Sequence, residues 1–225
     1  MPIVECRSAP ILSSSEIRGA VRINLLEFTR SAFRILPSVN KPSILDIGCG
    51  SGAPTIELAK MCNGHITAID IDEKTLQELQ EKANKTGFSN RISTIKLSME
   101  QLNSLGAKFD IIWAEGSIYT MGFERGIREW KELLVDNGFL IIHDQNDELT
   151  TKLNLIRKYG YALLGQIDVS HEEWWKRYYE PLESRLSEDN LDSETSKDLR
   201  RRVDSFKKDP MGSVFFILQK SHNIM

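Results

Sequence analysis

Residues 42–53 read Pro42-Ser43-Ile44-Leu45-Asp46-Ile47-Gly48-Cys49-Gly50-Ser51-Gly52-Ala53, and residues 66–72 read Ile66-Thr67-Ala68-Ile69-Asp70-Ile71-Asp72. Ser43–Ile47 and Ile66–Ile69 are short apolar runs bounded by turn and acidic residues, the pattern of buried strands. Between them Thr55–Met61 suits a helix, and Glu73–Thr86 follows as a second helix that Asp72 can cap and Gly87 can close. Strand, helix, strand, helix in that order means parallel strands joined by helical crossovers, with helices on both faces of the sheet. The expected fold class is therefore α/β, a doubly wound, mostly parallel sheet.

The alternation continues outward. On the N-terminal side Ser13–Ser15 offer caps for a helix reaching about Leu36, with Ile17, Val21, Leu25, Phe28 and Ala32 three or four residues apart, and Pro37 ends it. On the other side the pattern predicts strands near Ile92–Leu97, Phe109–Trp113 and Phe139–His143. A helix between the last two carries Phe123, Ile127, Trp130 and Leu134 on one face and leaves through Asn137-Gly138. A helix near Glu148–Lys158 and a strand near Tyr161–Val169 precede a long charged segment, and the last strand is Ser213–Gln219. That segment, 171–209, reads as a helical insertion, so the expected organisation is one domain over 1–225 with an N-terminal helical cover (1–40) and an inserted cap (171–209). In the cap, Trp174 and Tyr178, or Trp175 and Tyr179, share a helix face. One pair can pack inward while the other faces a pocket, or all four can fasten the insertion to the core.

Bulk properties narrow the function. The chain has 225 residues, 40% hydrophobic and 27% charged, enough for one sizeable core. Its 29 basic and 32 acidic residues give a net charge of -3, which disfavours a nucleic-acid partner, and the run Arg200-Arg201-Arg202 is interleaved with acids as on a solvated helix face. No apolar run approaches the roughly 18 residues of a membrane span, and no signal peptide precedes the first helix, so the expected location is the cytoplasm, with no membrane partner. Cys6, Cys49 and Cys62 form no C-x-x-C pair, which argues against a disulfide framework and a zinc site. No metal site is expected.

In an open α/β sheet ligands bind beyond the carboxyl ends of the strands, where strand order reverses. The loop after the first strand, Gly48-Cys49-Gly50-Ser51-Gly52-Ala53, lets a ligand approach bare backbone, although Gly48, Gly50 and Ala53 also satisfy a dinucleotide fingerprint. Asp46 separates the two possibilities, because a carboxylate there repels a pyrophosphate but suits a ligand bearing an ammonium and a sulfonium. Asp70, after the second strand, is spaced to hydrogen-bond ribose hydroxyls in either case.

Ile44–Gly52, Ala68-Ile69-Asp70, Ser98-Met99-Glu100 and Phe109–Gly116, in that order, resemble the class I S-adenosylmethionine-dependent methyltransferases. Trp113–Phe123 further resembles a small-molecule branch of that superfamily. The resemblance implies a Rossmann-like methyltransferase sheet, S-adenosylmethionine as cofactor and a small-molecule acceptor. It also implies that Asp46, Gly48 and Gly50 meet the methionine moiety, Asp70 the ribose, and Ile71, Met99 and Glu100 surround the adenine. Glu115 falls where the methyl donor meets the acceptor. Ala114-Glu115-Gly116-Ser117 stands where amide and base methylating members carry Asn or Asp followed by Pro-Pro and an aromatic, so that chemistry is not expected. His143, at the end of the fifth strand, is the expected base for an acceptor that must lose a proton. The alternatives are an NAD-dependent oxidoreductase and a non-catalytic S-adenosylmethionine-binding module.

Overall fold

The computed structural model describes residues 25–188 and 194–221. Cys6, Ser13–Ser15, Ile17, Val21 and His222 lie outside the described residues. The elements are α1 (Leu26–Ile35), β1 (Ser43–Ile47), α2 (Ala53–Met61), β2 (His65–Asp70), α3 (Glu73–Thr86), β3 (Ile92–Lys96), β4 (Phe109–Glu115), α4 (Phe123–Trp130) and β5 (Leu134–Gln145). They continue through α5 (Leu149–Lys158), β6 (Tyr161–Val169), α6 (His171–Trp174), α7 (Glu180–Glu188), α8 (Glu194–Lys208) and β7 (Ser213–Lys220). Asp72 caps α3 as expected, accepting from the Lys74 amide at 2.9 Å.

The seven strands lie in the order β3-β2-β1-β4-β5-β7-β6. Pairings from β3 to β5 are parallel, and β7 runs antiparallel to both its neighbours. Strand order therefore reverses between β1 and β4, and a ligand crevice belongs beyond their carboxyl ends. The inner strands β1, β4, β5 and β7 are largely buried on both faces, which explains their continuous apolar runs. One face, with Leu45, Ile112, Leu140 and Phe216, packs against Phe123, Ile127 and Trp130 of α4 and Ile156 of α5. The other, with Ile44, Ile66, Trp113, Ile141 and Phe215, packs against Ala32 of α1, Leu58 of α2 and Leu79 of α3.

Two local expectations are corrected. The fourth helix stops at Trp130, a 3-10 turn spans Lys131–Leu133, and Leu134 already belongs to β5. Asn137-Gly138 is thus not the exit from that helix but part of an irregularity inside β5, where the register jumps from Phe109↔Leu134 to Ile111↔Phe139 and Asn137 adopts φ 60°. In the insertion, residues Trp175–Tyr179 wind as a π-helix between α6 and α7. The wider turn breaks the three-to-four residue stagger, so the aromatic pairs do not divide between core and pocket. Tyr178 and Tyr179 are both buried in a small core of their own with Leu182, Leu186, Leu199 and Val203, and the Tyr179 ring stacks on Phe206 at 4.0 Å.

Candidate functional site

Side chains alternate across a strand, so the residues facing α1 and α2 at the carboxyl ends of β1, β4 and β5 follow from the core pattern. They are Asp46, Glu115 and His143. The chain leaves β1 through Gly48 and Cys49, whose amides both donate to the Ile69 carbonyl of β2 at 2.9 and 3.0 Å. Asp70 at the end of β2 secures the next step, accepting from the Gly50 amide at 2.8 Å through Oδ2 and from the Asp72 amide at 2.9 Å through Oδ1. Each of its oxygens keeps a further lone pair for a ligand hydroxyl.

Two glycines define the loop's shape. Gly48 has φ 69°, and a Cβ there would come within 2.6 Å of the Ser117 Cβ, so backbone and the exit of β4 touch directly. Ser117 reinforces this contact by donating its hydroxyl to the Ile47 carbonyl at 2.7 Å. Gly50, at φ 51°, has nothing among the described residues within 4 Å of a Cβ. A closed side against β4 and an open side above the sheet give a cradle for a ligand laid across the loop. From α3, Lys82 donates to the Ser51 carbonyl at 2.7 Å.

Asp46 is 2% exposed and accepts from Thr55 Oγ1 of α2 at 2.6 Å. Burial pushes its carboxyl up to about 7, only partly offset by the Thr55 hydrogen bond and aided by the nearby Asp70 charge. Glu115, half-buried at the end of β4, accepts from Thr29 Oγ1 of α1 at 3.1 Å on both oxygens and from its own strand's Trp113 Nε1 at 3.0 Å. Desolvation pushes it up to about 7 as well, against the two hydrogen bonds and with help from Asp46. Burial also drives the Cys49 thiol far above its usual range, which leaves it inert as a nucleophile.

His143 occupies the expected strand end but not an open rim. It is 4% exposed, stacked on Phe215 at 4.1 Å and facing Trp174 of α6 at 6.0 Å. Nε2 is paired with Ser213 Oγ at 2.7 Å, and that oxygen also accepts from Trp174 Nε1 at 2.8 Å. Among the described residues Nδ1 has no hydrogen-bond partner. Burial pushes the imidazole down to about 3, so it is neutral at physiological pH.

The expected adenine residues divide. Ile71 is 69% exposed just past β2, an apolar surface beside the loop, and Met99 is half-buried, its Sδ accepting from Thr120 Oγ1 at 3.0 Å. Glu100 is exposed and held by Arg125 at 2.6 Å. Sequence reasoning missed Thr29, Thr55, Ser213 and the bonding of Trp174. Thr55, on the first turn of the helix that follows the glycine loop, could have been suspected from its position; the others come from distant segments. Among the described residues no group of three His, Cys, Asp or Glu could hold a metal ion, and no helix is long and apolar enough to cross a membrane.

Residues 44–138 match the family model of a methyltransferase domain. That stretch, less than half of the chain, is similar to a methyltransferase domain. Over 111 residues it is 31% identical to the 27-O-demethylrifamycin SV methyltransferase of Amycolatopsis mediterranei, a match covering 49% of this chain and 41% of that enzyme. Matched stretches cover 26% to 41% of the length of the first curated relatives, well under two thirds. The likeness of fold extends further than the family match. A Thiobacillus denitrificans S-adenosylmethionine-dependent methyltransferase in complex with S-adenosyl-L-homocysteine superposes with TM-score 0.69 at 16% identity, covering 91% of this chain and 95% of that one. The [4+2]-cyclase SpnF superposes with TM-score 0.73 at 20% identity, covering 87% and 80%. A shared sheet therefore fixes the domain's architecture and not its reaction.

Proposed function

We propose that this chain binds S-adenosylmethionine across the glycine loop and transfers its methyl group to a small-molecule acceptor. The observation that carries the proposal is the cradle at the strand-order reversal: a loop open at Gly50, closed against Ser117 at Gly48, and flanked by Asp46, Asp70 and Glu115. A set of side chains rich in carboxylates suits a ligand with cationic groups and ribose hydroxyls better than a pyrophosphate.

In this proposal Asp46, Gly48 and Gly50 receive the methionine end, Asp70 the ribose, and Ile71 and Met99 the adenine. Glu100, committed to Arg125, contributes backbone at most. The cofactor supplies a methyl on a sulfonium, an excellent leaving group, so the chain's task is chiefly to orient the partners and exclude water. Glu115 is the group suited to take a proton from an acceptor, because its carboxyl titrates near neutrality while Thr29 and Trp113 fix its direction. His143 suits that role poorly, since burial opposes its protonation; it serves instead to pack and align the end of β5.

Acceptor choice is assigned to the cover formed by α1 and the insertion, which Arg177 joins by pairing with Glu27 at 2.7 Å and resting over Phe28. The net charge of -3 supports a small acceptor rather than a nucleic acid, and the free thiols of Cys49 and Cys62 suit the reducing cytoplasm. Titration calorimetry with S-adenosylmethionine, S-adenosylhomocysteine and NAD tests the cofactor. Binding of the adenosyl ligands is expected, and tighter binding of NAD would overturn the assignment. Release of S-adenosylhomocysteine across a panel of hydroxyl, amine and carbon acceptors then tests turnover.

A further inference from the structure

The insertion hangs from a single stem. The chain leaves the sheet at Val169 and returns at Ser213, and these two residues are ladder partners on β6 and β7. Gly212 closes the stem, since a Cβ there would lie 2.9 Å from the Val169 carbonyl and 2.7 Å from the Asn146 side chain. Beyond the stem the helices hold to one another. Tyr178, Tyr179, Leu182, Leu186, Leu199 and Val203 form a core separate from the two that flank the sheet. Arg200 donates to the Leu186 carbonyl at 2.9 Å, and Lys207 pairs with Glu183, which joins α8 to α7. A unit with its own core and one two-stranded attachment swings as a body more readily than it unfolds.

Named contacts tie this unit down at the rim of the crevice. Arg177 donates to Glu27 of α1 at 2.7 Å, bonds Glu173 of α6 and rests over the Phe28 ring at 5.2 Å. Leu25, just before α1, packs against the unit's core. Trp174 donates to Ser213 at 2.8 Å and faces His143, at the end of β5, at 6.0 Å. One turn of α1 carries the Arg177 contact inward. Glu27 and Phe28 meet Arg177, Thr29 bonds Glu115 at the end of β4, and Arg30 pairs with Glu57 of α2 at 2.9 Å. We propose that the insertion is a lid hinged at its stem and latched by Arg177 on α1, so that the rim above β4 and β5 opens by release of one ion pair without unfolding of the lid's helices. The proposal concerns access to the crevice, and rests on the reading above only for what enters it.

Hydrogen exchange of the full chain, without ligand, reads the latch directly. In R177A the amides of α1 are expected to exchange roughly 10-fold faster than in the wild type, while those of α7, α8 and the strands β1, β4 and β5 keep their protection. E27Q should act in the same direction on α1, and its effect should vanish in the double variant, since both changes remove the same pair. Sodium chloride at about 0.5 M should bring the wild type towards R177A and leave R177A unmoved. E27Q spares the contacts of Arg177 with Glu173 and Phe28, so it carries the same test where R177A loses protection in the sheet as well. Unchanged exchange of α1 in E27Q would overturn the latch. Loss of protection in α7 and α8 together with α1 would overturn the lid, because the insertion would then melt and not swing. No ligand enters the measurement, so a failure of the cofactor assignment leaves both outcomes as they stand.

Discussion

Replacing His143 by Phe isolates one buried titration from the rest of the molecule. In the folded chain the imidazole is wedged against Phe215, Trp174 and Ser213 and its protonation is pushed down to about 3, whereas in the unfolded chain it titrates near 6.5. The folded-state value is depressed, so the unfolded state binds the extra proton and stability must fall as the pH drops below about 6.5. Between pH 7 and pH 5 the unfolded chain gains close to 1.4 decades of proton affinity that the native state does not match, about 2 kcal/mol. Asp46 and Glu115 act with the opposite sign over that window, because their folded values are raised and the native state holds their protons more tightly. Both proteins contain those carboxylates, so the difference between wild type and variant removes them. Phe keeps the stacking and loses the Ser213 bond, an offset that does not vary with pH. The stability advantage of the wild type over His143→Phe at pH 7 should therefore shrink by about 2 kcal/mol at pH 5, roughly 4 to 8 °C in melting temperature for a chain of this size. Denaturant or thermal melts at both pH values measure it. A gap that is the same at pH 5 and pH 7 would refute the claim that this histidine is held neutral, and would return it to the rim as a candidate base.

Asp70→Ala should weaken cofactor binding by about 1.5–3 kcal/mol, since Asp70 anchors the Gly50 amide and is the residue proposed to meet the ribose, and calorimetry showing unchanged affinity in a folded variant would contradict it. Gly48→Ala should damage cofactor binding far more than Gly50→Ala, because a methyl at 48 meets Ser117 at 2.6 Å whereas one at 50 meets nothing within 4 Å; equal losses would mean that backbone conformation and not space governs the loop. Tyr178→Ala and Tyr179→Ala should each cost about 3 kcal/mol or more in thermal stability while leaving cofactor affinity at the wild-type value, as expected for aromatic residues in a closed core.

What the sequence makes legible here is what neighbours in the chain decide. β1, α3 and β6 fall close to their expected bounds because a run of apolar residues between Pro42 and Gly48, a capping Asp72 and a bounded stretch at Tyr161–Val169 are local signals. Leu134 defeats the same logic, since it continues the apolar spacing of α4 even though a 3-10 turn has already ended the helix. The π-helical turn defeats it again at Trp175–Tyr179, because counting three or four residues assumes the very hydrogen-bond ladder that has changed. In the site, Asp46, Gly48, Gly50 and Asp70 are legible as a loop and its flanking acids. The Thr29 bond to Glu115 joins groups 86 residues apart, and no pattern in either segment announces it.

Glu115 and His143 show where such reasoning stops. They are ladder partners on adjacent parallel strands, pointing to the same face, and by position alone they have equal claims to acid-base work. The difference lies in what covers them. α1 brings Thr29, a hydroxyl donor that favours a carboxylate, to Glu115; the insertion brings Trp174, whose indole occupies Ser213 and closes an aromatic stack over His143. One cover conceals the histidine, and the other leaves the carboxylate able to titrate near neutrality. Because both covers lie outside the matched residues 44–138, they are also where this chain is free to differ from other bearers of the same sheet, a methyltransferase in one case and a cyclase in another. Exchanging α1 or the insertion between such chains should therefore move acceptor choice and proton handling while leaving the cofactor loop, anchored on Ile69 and Asp70, as it stands.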